Sequence, residues 1–317
     1  MKNLFFFIFL FVVTSTLAQY RVDYGVKLGV ANYLGDIGGK ELTRRDFIWD
    51  MHLPQSRFAV GAFARYKRSK RFAYAVNMDY LRIQDADRYT TNPARRSRNM
   101  NFRNNMIELG LRGELTIWYD NDVGNRGYYN PDFKMYLFGG VAGYYSNPMG
   151  QIYDSLGVVQ PGWIKLRDLR TEGQSQPYSQ IGFSVPVGLG MYFTFNKKWR
   201  IGWELGWRTT FTDYLDDIST TYAKPDTKLE AQWVNQTYQN IVDAAYGKSP
   251  TQPAINNFRY DETAKKQAKR GDPTHNDAYL TSQITISRVL RGRSQFYRSK
   301  YSWLKNRAGV RRSRAKF

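Results

Sequence analysis

Two stretches of this 317-residue chain space their ionisable residues so that they share a face. Glu108, Arg112 and Glu114 in one, and Arg200, Glu204 and Arg208 in the other, fall at even separations. On a β-strand, residues at even separation point the same way. The positions between them carry Leu, Ile and Trp, so each strand has one apolar and one charged face. Lys27 and Asp79 occupy polar positions of two further alternating segments. Facing one another inside a closed sheet, charges of both signs predict a packed ion-pair network and no open pore.

A second group of carboxylates lies in two similar segments, Asn32–Ile37 (NYLGDI) and Asp213–Ile218 (DYLDDI). Tyr33, Leu34, Asp36 and Ile37 in the first, with Tyr214, Leu215, Asp217 and Ile218 in the second, are expected to form a paired docking surface. The plainer reading has Tyr anchoring at a membrane interface and Asp capping the turn. Asp36, Asp213, Asp216 and Asp217 also raise the prospect of a hard cation such as calcium. Their spacing lacks the alternating oxygen ligands that calcium takes, so no metal is expected.

His52 and His275 are the only histidines. Ser56 and Ser249 stand in ordinary loop sequence with no nucleophile motif around them, so no catalytic residue is assigned and the chain is read as a non-enzyme. The glycines alternate along strands instead of opening a helix, which leaves no phosphate-cradling loop and no expected cofactor.

Strands are the elements that must position these side chains. Ile181, Phe183, Val185, Val187, Leu189, Met191, Phe193 and Phe195 recur at every second position. After the turn that starts at Asn196, Trp199, Ile201, Trp203, Leu205, Trp207 and Phe211 do the same. Equivalent runs centre on Val22–Val30, Phe58–Tyr66, Phe72–Tyr80, Ile107–Ile117, Phe133–Tyr145 and, more weakly, Ala278–Val289. Gln84 to Arg103 reads as a long basic loop and Ser146 to Gln176 as another. Connections therefore alternate long and short around eight strands, as in single-chain outer-membrane barrels. The expected fold is all-β: an eight-stranded antiparallel transmembrane β-barrel with long extracellular loops and both termini in the periplasm. Trp118, Tyr119, Phe193, Phe195 and Trp199 near the short turns, with Tyr33 and Tyr214 opposite, are expected to form aromatic girdles.

Residues 1–18 read as a signal peptide, with Lys2, an apolar run Leu4–Val13 and small residues before Gln19. That run is well short of the ~20 residues of a spanning helix. The barrel is assigned to 19–290, in the outer membrane and in contact with its lipid. There is no cysteine, so disulfides and cysteine zinc sites are excluded. The mean hydropathy of −0.59 with 16% aromatics fits strands that are apolar on one side only.

The formal charge of +20 has a prominent source in the tail, 291–317, which carries Arg291, Arg293, Arg298, Arg311, Arg312 and Arg314 without one Asp or Glu. Export removes nucleic acid as its partner. A periplasmic tail of this kind is expected to dock on an acidic protein, on anionic phospholipid or on the cell wall, or else to be a solvated segment.

The first strand ends GVANYLGDIGG (Gly29 to Gly39) and the seventh FTDYLDDIS (Phe211 to Ser219). With the signal peptide, these segments resemble the Bacteroidetes outer-membrane barrel family that includes PorG, a component of the type IX protein secretion apparatus. The resemblance covers most of the barrel. It implies a non-enzymatic anchor that ties a periplasmic ring of secretion proteins to the outer membrane, and it carries over no catalytic residues. The alternative is a stand-alone barrel that binds or modifies an envelope ligand at its outer loops.

Overall fold

The computed structural model describes residues 19–39, 51–90, 95, 100–120, 132–151, 162–195, 198–222, 260–261, 266–267 and 269–291. The expected signal peptide, the turn 121–131, most of the seventh connection and the tail beyond Arg291 lie outside the described residues.

Eight long strands make the barrel: β1 (Gln19–Leu34), β2 (Arg57–Lys67), β3 (Phe72–Ala86), β4 (Asn101–Asp120), β5 (Asp132–Tyr145), β6 (Ile181–Phe195), β7 (Trp199–Thr210) and β8 (Ala278–Arg291). Each sequential pair from β1 to β8 is hydrogen-bonded and antiparallel, and β8 returns to pair with β1, which closes the sheet. Val26 opposes Ile286 across that seam, and Val26 opposes Ala62 on its other side. Closure leaves no unpaired edge, so every strand finds both of its hydrogen-bonding partners without water.

The alternation has the physical consequence expected of a barrel in lipid. On β4, Leu109 and Leu111 are each 60% exposed, whereas Glu108 and Arg112, which flank them in the chain, are 2% and 5% exposed. Tyr24, Val26, Leu28 and Val30 on β1, and Phe72, Tyr74, Val76 and Met78 on β3, likewise face outward. Trp118, Phe195 and Trp199 stand exposed near the short turns, at the height of a headgroup girdle. A β-bulge between Thr116 and Trp118 aligns Tyr119 with Lys134.

Toward the long loops the pattern inverts. Leu81 and Ile83 on β3, and Phe102 and Met106 on β4, are fully buried on the inner face. Their outward neighbours are polar, and Arg82 Nε donates to Asn105 Oδ1 at 2.7 Å. An apolar inside with a polar outside marks the height at which the sheet leaves lipid for water. This overturns two loop expectations. Gln84–Ala86 and Asn101–Arg103 continue the β3–β4 hairpin, because their inner side chains have a core to pack on. The connection after β5 also extends the sheet, with the short strand Pro148–Gly150 paired to the outer part of β4 and Ile164–Lys165 paired in turn to Pro148–Gly150.

Leu111→Arg puts a charge in the lipid-facing band and should cost ~2–4 kcal/mol in urea unfolding of the bilayer-reconstituted barrel. Gly110→Arg faces the lumen, and its response to anionic or neutral lipid should differ from that of Leu111→Arg. Equal responses from the two positions would show that the faces are misassigned.

Candidate functional site

The interior is filled from the middle outward. Glu204 of β7 stands at its centre: Arg112 of β4 grips it with Nη1 at 2.8 Å and Nη2 at 2.6 Å, a two-pronged contact. Tyr136 of β5 donates its hydroxyl to the same carboxylate, and Arg65 of β2 approaches it at 3.4 Å. Arg112 also holds Glu114 at 3.0 Å, and Arg65 Nε meets Glu114 at 2.6 Å. Toward the short turns, Asp23 of β1 pairs with Arg65 at 3.1 Å and Arg200 at 2.5 Å. Toward the long loops, Lys27 pairs with Asp79 at 2.6 Å, and Arg208 with Glu108 at 3.4 Å. Gln283 of β8 donates to Asp79 at 3.2 Å, and Tyr279 donates to Glu108.

All six charges singled out from the sequence, Glu108, Arg112, Glu114, Arg200, Glu204 and Arg208, therefore point into the lumen and join ion pairs. Sequence reasoning missed Asp23, Arg65 and Tyr136 as members. Arg65 and Asp23 each sit at a lumen position of an alternating strand, which is the signal that would have found them. The strand that brings no charge, β6, makes room. Gly188 and Gly190 lie against the rings of Phe138 and Tyr136, which a Cβ would meet at 2.6 and 2.5 Å.

The paired segments after β1 and β7 do meet. Ile37 N–H donates to Asp216 Oδ2 at 3.1 Å, and Asp272 N–H donates to Asp36 Oδ2 at 2.7 Å. The Tyr33 hydroxyl and the Leu215 N–H both donate to Asp277, at 2.6 and 2.9 Å. These contacts form a roof. Tyr33, Ile37, Leu215 and Ile218 are buried in one apolar cluster with Leu81, Ile83, Phe102 and Met106. Most of the expected docking residues are consequently internal: Asp36 and Asp217 are buried too, while Leu34 and Tyr214 are half-buried. Tyr33 is no girdle residue, because its hydroxyl is consumed inside the roof. Tyr214 stacks on Tyr178 with ring centroids 4.7 Å apart.

Asp217 locks the roof to the neighbouring loops. It adopts a left-handed φ of 71°, and its carboxylate accepts from Thr171 at 2.5 Å, Tyr178 at 2.8 Å and Arg270 at 3.2 Å. Arg270 also reaches Glu172 at 3.1 Å. Among the described residues no group of three or more His, Cys, Asp or Glu is arranged to hold a metal ion. His52 lies 3.5 Å from Asp85, and His275 lies 3.1 Å from Asp272. Ser56 accepts from Asn32. Of the six tail residues assigned to partner binding, Arg291 ends β8, and Arg293, Arg298, Arg311, Arg312 and Arg314 lie outside the described residues.

An outward apolar wall around a charged, closed interior defines a transmembrane β-barrel of the outer-membrane type. The chain belongs to the family described as a domain of unknown function, DUF6089, whose model matches residues 2–235. That span contains β1 to β7, and β8 closes the barrel from beyond it. No curated protein matches the sequence. Among solved structures, the chain is similar to outer membrane protein OprG of Pseudomonas aeruginosa, at 9% identity and a TM-score of 0.36 over 86% of this chain and 98% of that one. It is also similar to Neisserial surface protein A, at 8% identity and a TM-score of 0.34 over 84% and 96%. Ail of Yersinia pestis aligns at 7% identity and a TM-score of 0.32 over 85% and 98%. The barrel is defined by its own closed pairing, and likenesses at these TM-scores add nothing to it.

Two predictions follow from this geometry. Glu204→Gln leaves Arg112 and Arg65 short of a buried counter-charge and should lower unfolding stability by ~3–5 kcal/mol. A cycle with Arg112→Gln should show strong coupling, and additive losses would remove Glu204 from the centre of the network. In the roof, burial first, and then repulsion from Asp216 and Asp213, push the Asp277 carboxyl well above its ordinary range. The folded state then holds the proton more tightly than the unfolded one, so this contribution favours folding in acid. It is lost as pH rises from about 4 through the higher folded value. Protease cleavage of the roof should increase with rising pH, and Asp277→Asn should flatten that dependence. Protection that grows with pH would contradict the assignment.

Proposed function

We propose that this protein is a non-enzymatic outer-membrane barrel that serves as an anchor or structural subunit of a protein secretion apparatus of the type IX kind. Its partners are periplasmic and outer-membrane components of that apparatus, together with outer-membrane lipid. The observation that carries this reading is the packed interior of the described barrel. Mid-lumen, the space bounded by Asn77, Glu108, Arg112, Phe138 and Arg208 amounts to about 10 Å³, at the lower limit for a single water. Among the described residues a roof covers one end and ion pairs fill the lumen beneath it, an interior built for packing. Its work then falls to its two ends and its outer wall. The YLGDI and YLDDI segments, on which the resemblance to the PorG-type family rests, hold the roof together and so support the reading through the fold they build.

In this reading the basic tail that follows β8 reaches the periplasmic partner. The test is affinity purification of the full chain and of a chain stopped at Ser294, each from native envelopes. The full chain should bring periplasmic ring proteins with it. The shortened chain should insert and resist denaturation yet lose those proteins, with weaker losses in high salt where the contact is already screened. A full chain that purifies alone would overturn the anchor reading in favour of a stand-alone barrel with a ligand at its outer loops.

A further inference from the structure

At the short-turn end the barrel has a second feature, away from the roof and beside the ion-pair network, with which it shares Arg200. Lys67 closes β2, Lys70 follows in the turn, Lys134 opens β5 and Arg200 lies near the start of β7. Together with Tyr192 and Thr194 of β6 they line a cavity of about 180 Å³ that opens at this mouth. That volume is below the roughly 300–1,000 Å³ of a drug-sized ligand site, so its occupant is small.

Its charge is one-sided. Deeper in the lumen, the buried carboxylates Asp23, Asp79, Glu108, Glu114 and Glu204 are each ion-paired to Lys27, Arg65, Arg112, Arg200 or Arg208, five acids against five bases. The network thus has no spare negative charge to offer the mouth. Among the described residues Lys67, Lys70 and Lys134 make no ion pair. Lys134 Nζ donates to the Lys70 carbonyl at 3.0 Å, and Lys67 rests over the Tyr192 ring at 5.1 Å. Arg200 faces the same ring at 5.0 Å. Tyr192 adds an independent observation. It is 3% exposed, and its buried hydroxyl has no hydrogen-bond partner among the described residues. A buried donor left unmade costs free energy, and a cluster of like charges adds repulsion.

An anion in the cavity answers both. We propose that the short-turn mouth is an anion site that takes a phosphate group. A phosphate carries up to two negative charges and several acceptor oxygens, which suits three lysines without ion pairs, the Asp23-paired Arg200 beside them and a hydroxyl better than a single carboxylate does. The group arrives either as free phosphate or as the phosphomonoester headgroup of a lipid at the membrane edge.

The full-length barrel in phosphatidylcholine nanodiscs, titrated calorimetrically with inorganic phosphate and separately prepared with phosphatidic acid, distinguishes these sources. Saturable heat with inorganic phosphate, absent with chloride, identifies a free-anion site. Binding retained only with phosphatidic acid identifies the lipid headgroup. In either arm Lys67→Gln with Lys134→Gln should weaken binding by about tenfold per lost charged contact, while the folded band on an unheated gel is unchanged. Tyr192→Phe, which keeps the ring, should weaken it several-fold. No saturation in either arm, or affinity that survives the double lysine substitution in a folded barrel, would overturn the proposal.

Discussion

Glu204 is the point on which the interior depends. One carboxylate, 3% exposed, accepts from two nitrogens of Arg112, from Arg65 and from Tyr136. Those partners come from β4, β2 and β5, so a single side chain on β7 ties together strands from around the wall. Burying an ion is costly unless its charge and its hydrogen-bonding capacity are both met. Here they are met by groups that are themselves met elsewhere: Arg112 and Arg65 share Glu114, and Arg65 and Arg200 share Asp23. The network therefore behaves as one unit, and its geometry sets the cross-section into which the other side chains fit. Glycines on β6 then give the Tyr136 and Phe138 rings the space they occupy.

Such a core suits a protein turned inside out. Lipid supplies no hydrogen bonds and little drive to bury apolar residues, so the outer wall can be Leu, Val and aromatic while the polar groups find one another inside. The same logic explains the change of pattern along β3 and β4. Beyond Tyr80 the outside is water, the inside is apolar, and the roof residues Leu215 and Ile218 pack onto Leu81, Phe102 and Met106 as they would in a soluble core.

The two ends are chemically opposite. The roof is built on buried carboxylates, Asp36, Asp216, Asp217 and Asp277, each held by backbone N–H groups or by side-chain donors. The other mouth gathers Lys67, Lys70, Lys134 and Arg200 around an open space. In the roof the acids serve as acceptors for loop backbones that have no sheet to join. That structural duty accounts for the pairing of the two YL-containing segments.

Period-two alternation determined a great deal by itself. It settled the strand count, the antiparallel order, the sorting of connections by length, the outward wall and the inward direction of Glu108, Arg112, Glu114, Arg200, Glu204 and Arg208. Parity follows from local backbone geometry, which is why one strand at a time suffices to read it. The inversion at Leu81 and Ile83 is equally visible, as apolar residues on the polar parity, although the alternation read from Phe72 stops at Tyr80. What parity does not contain is which side chains meet across the lumen. Arg65 reaches Glu204, 139 residues away, and Tyr33 reaches Asp277, 244 residues away, only because the sheet closes with a particular register. The same holds for the expected docking residues. Whether Tyr33, Ile37, Leu215 and Ile218 face solvent or a roof depends on loops folding back over the mouth. That is a matter of packing between segments far apart in the chain, and only the tertiary structure decided it.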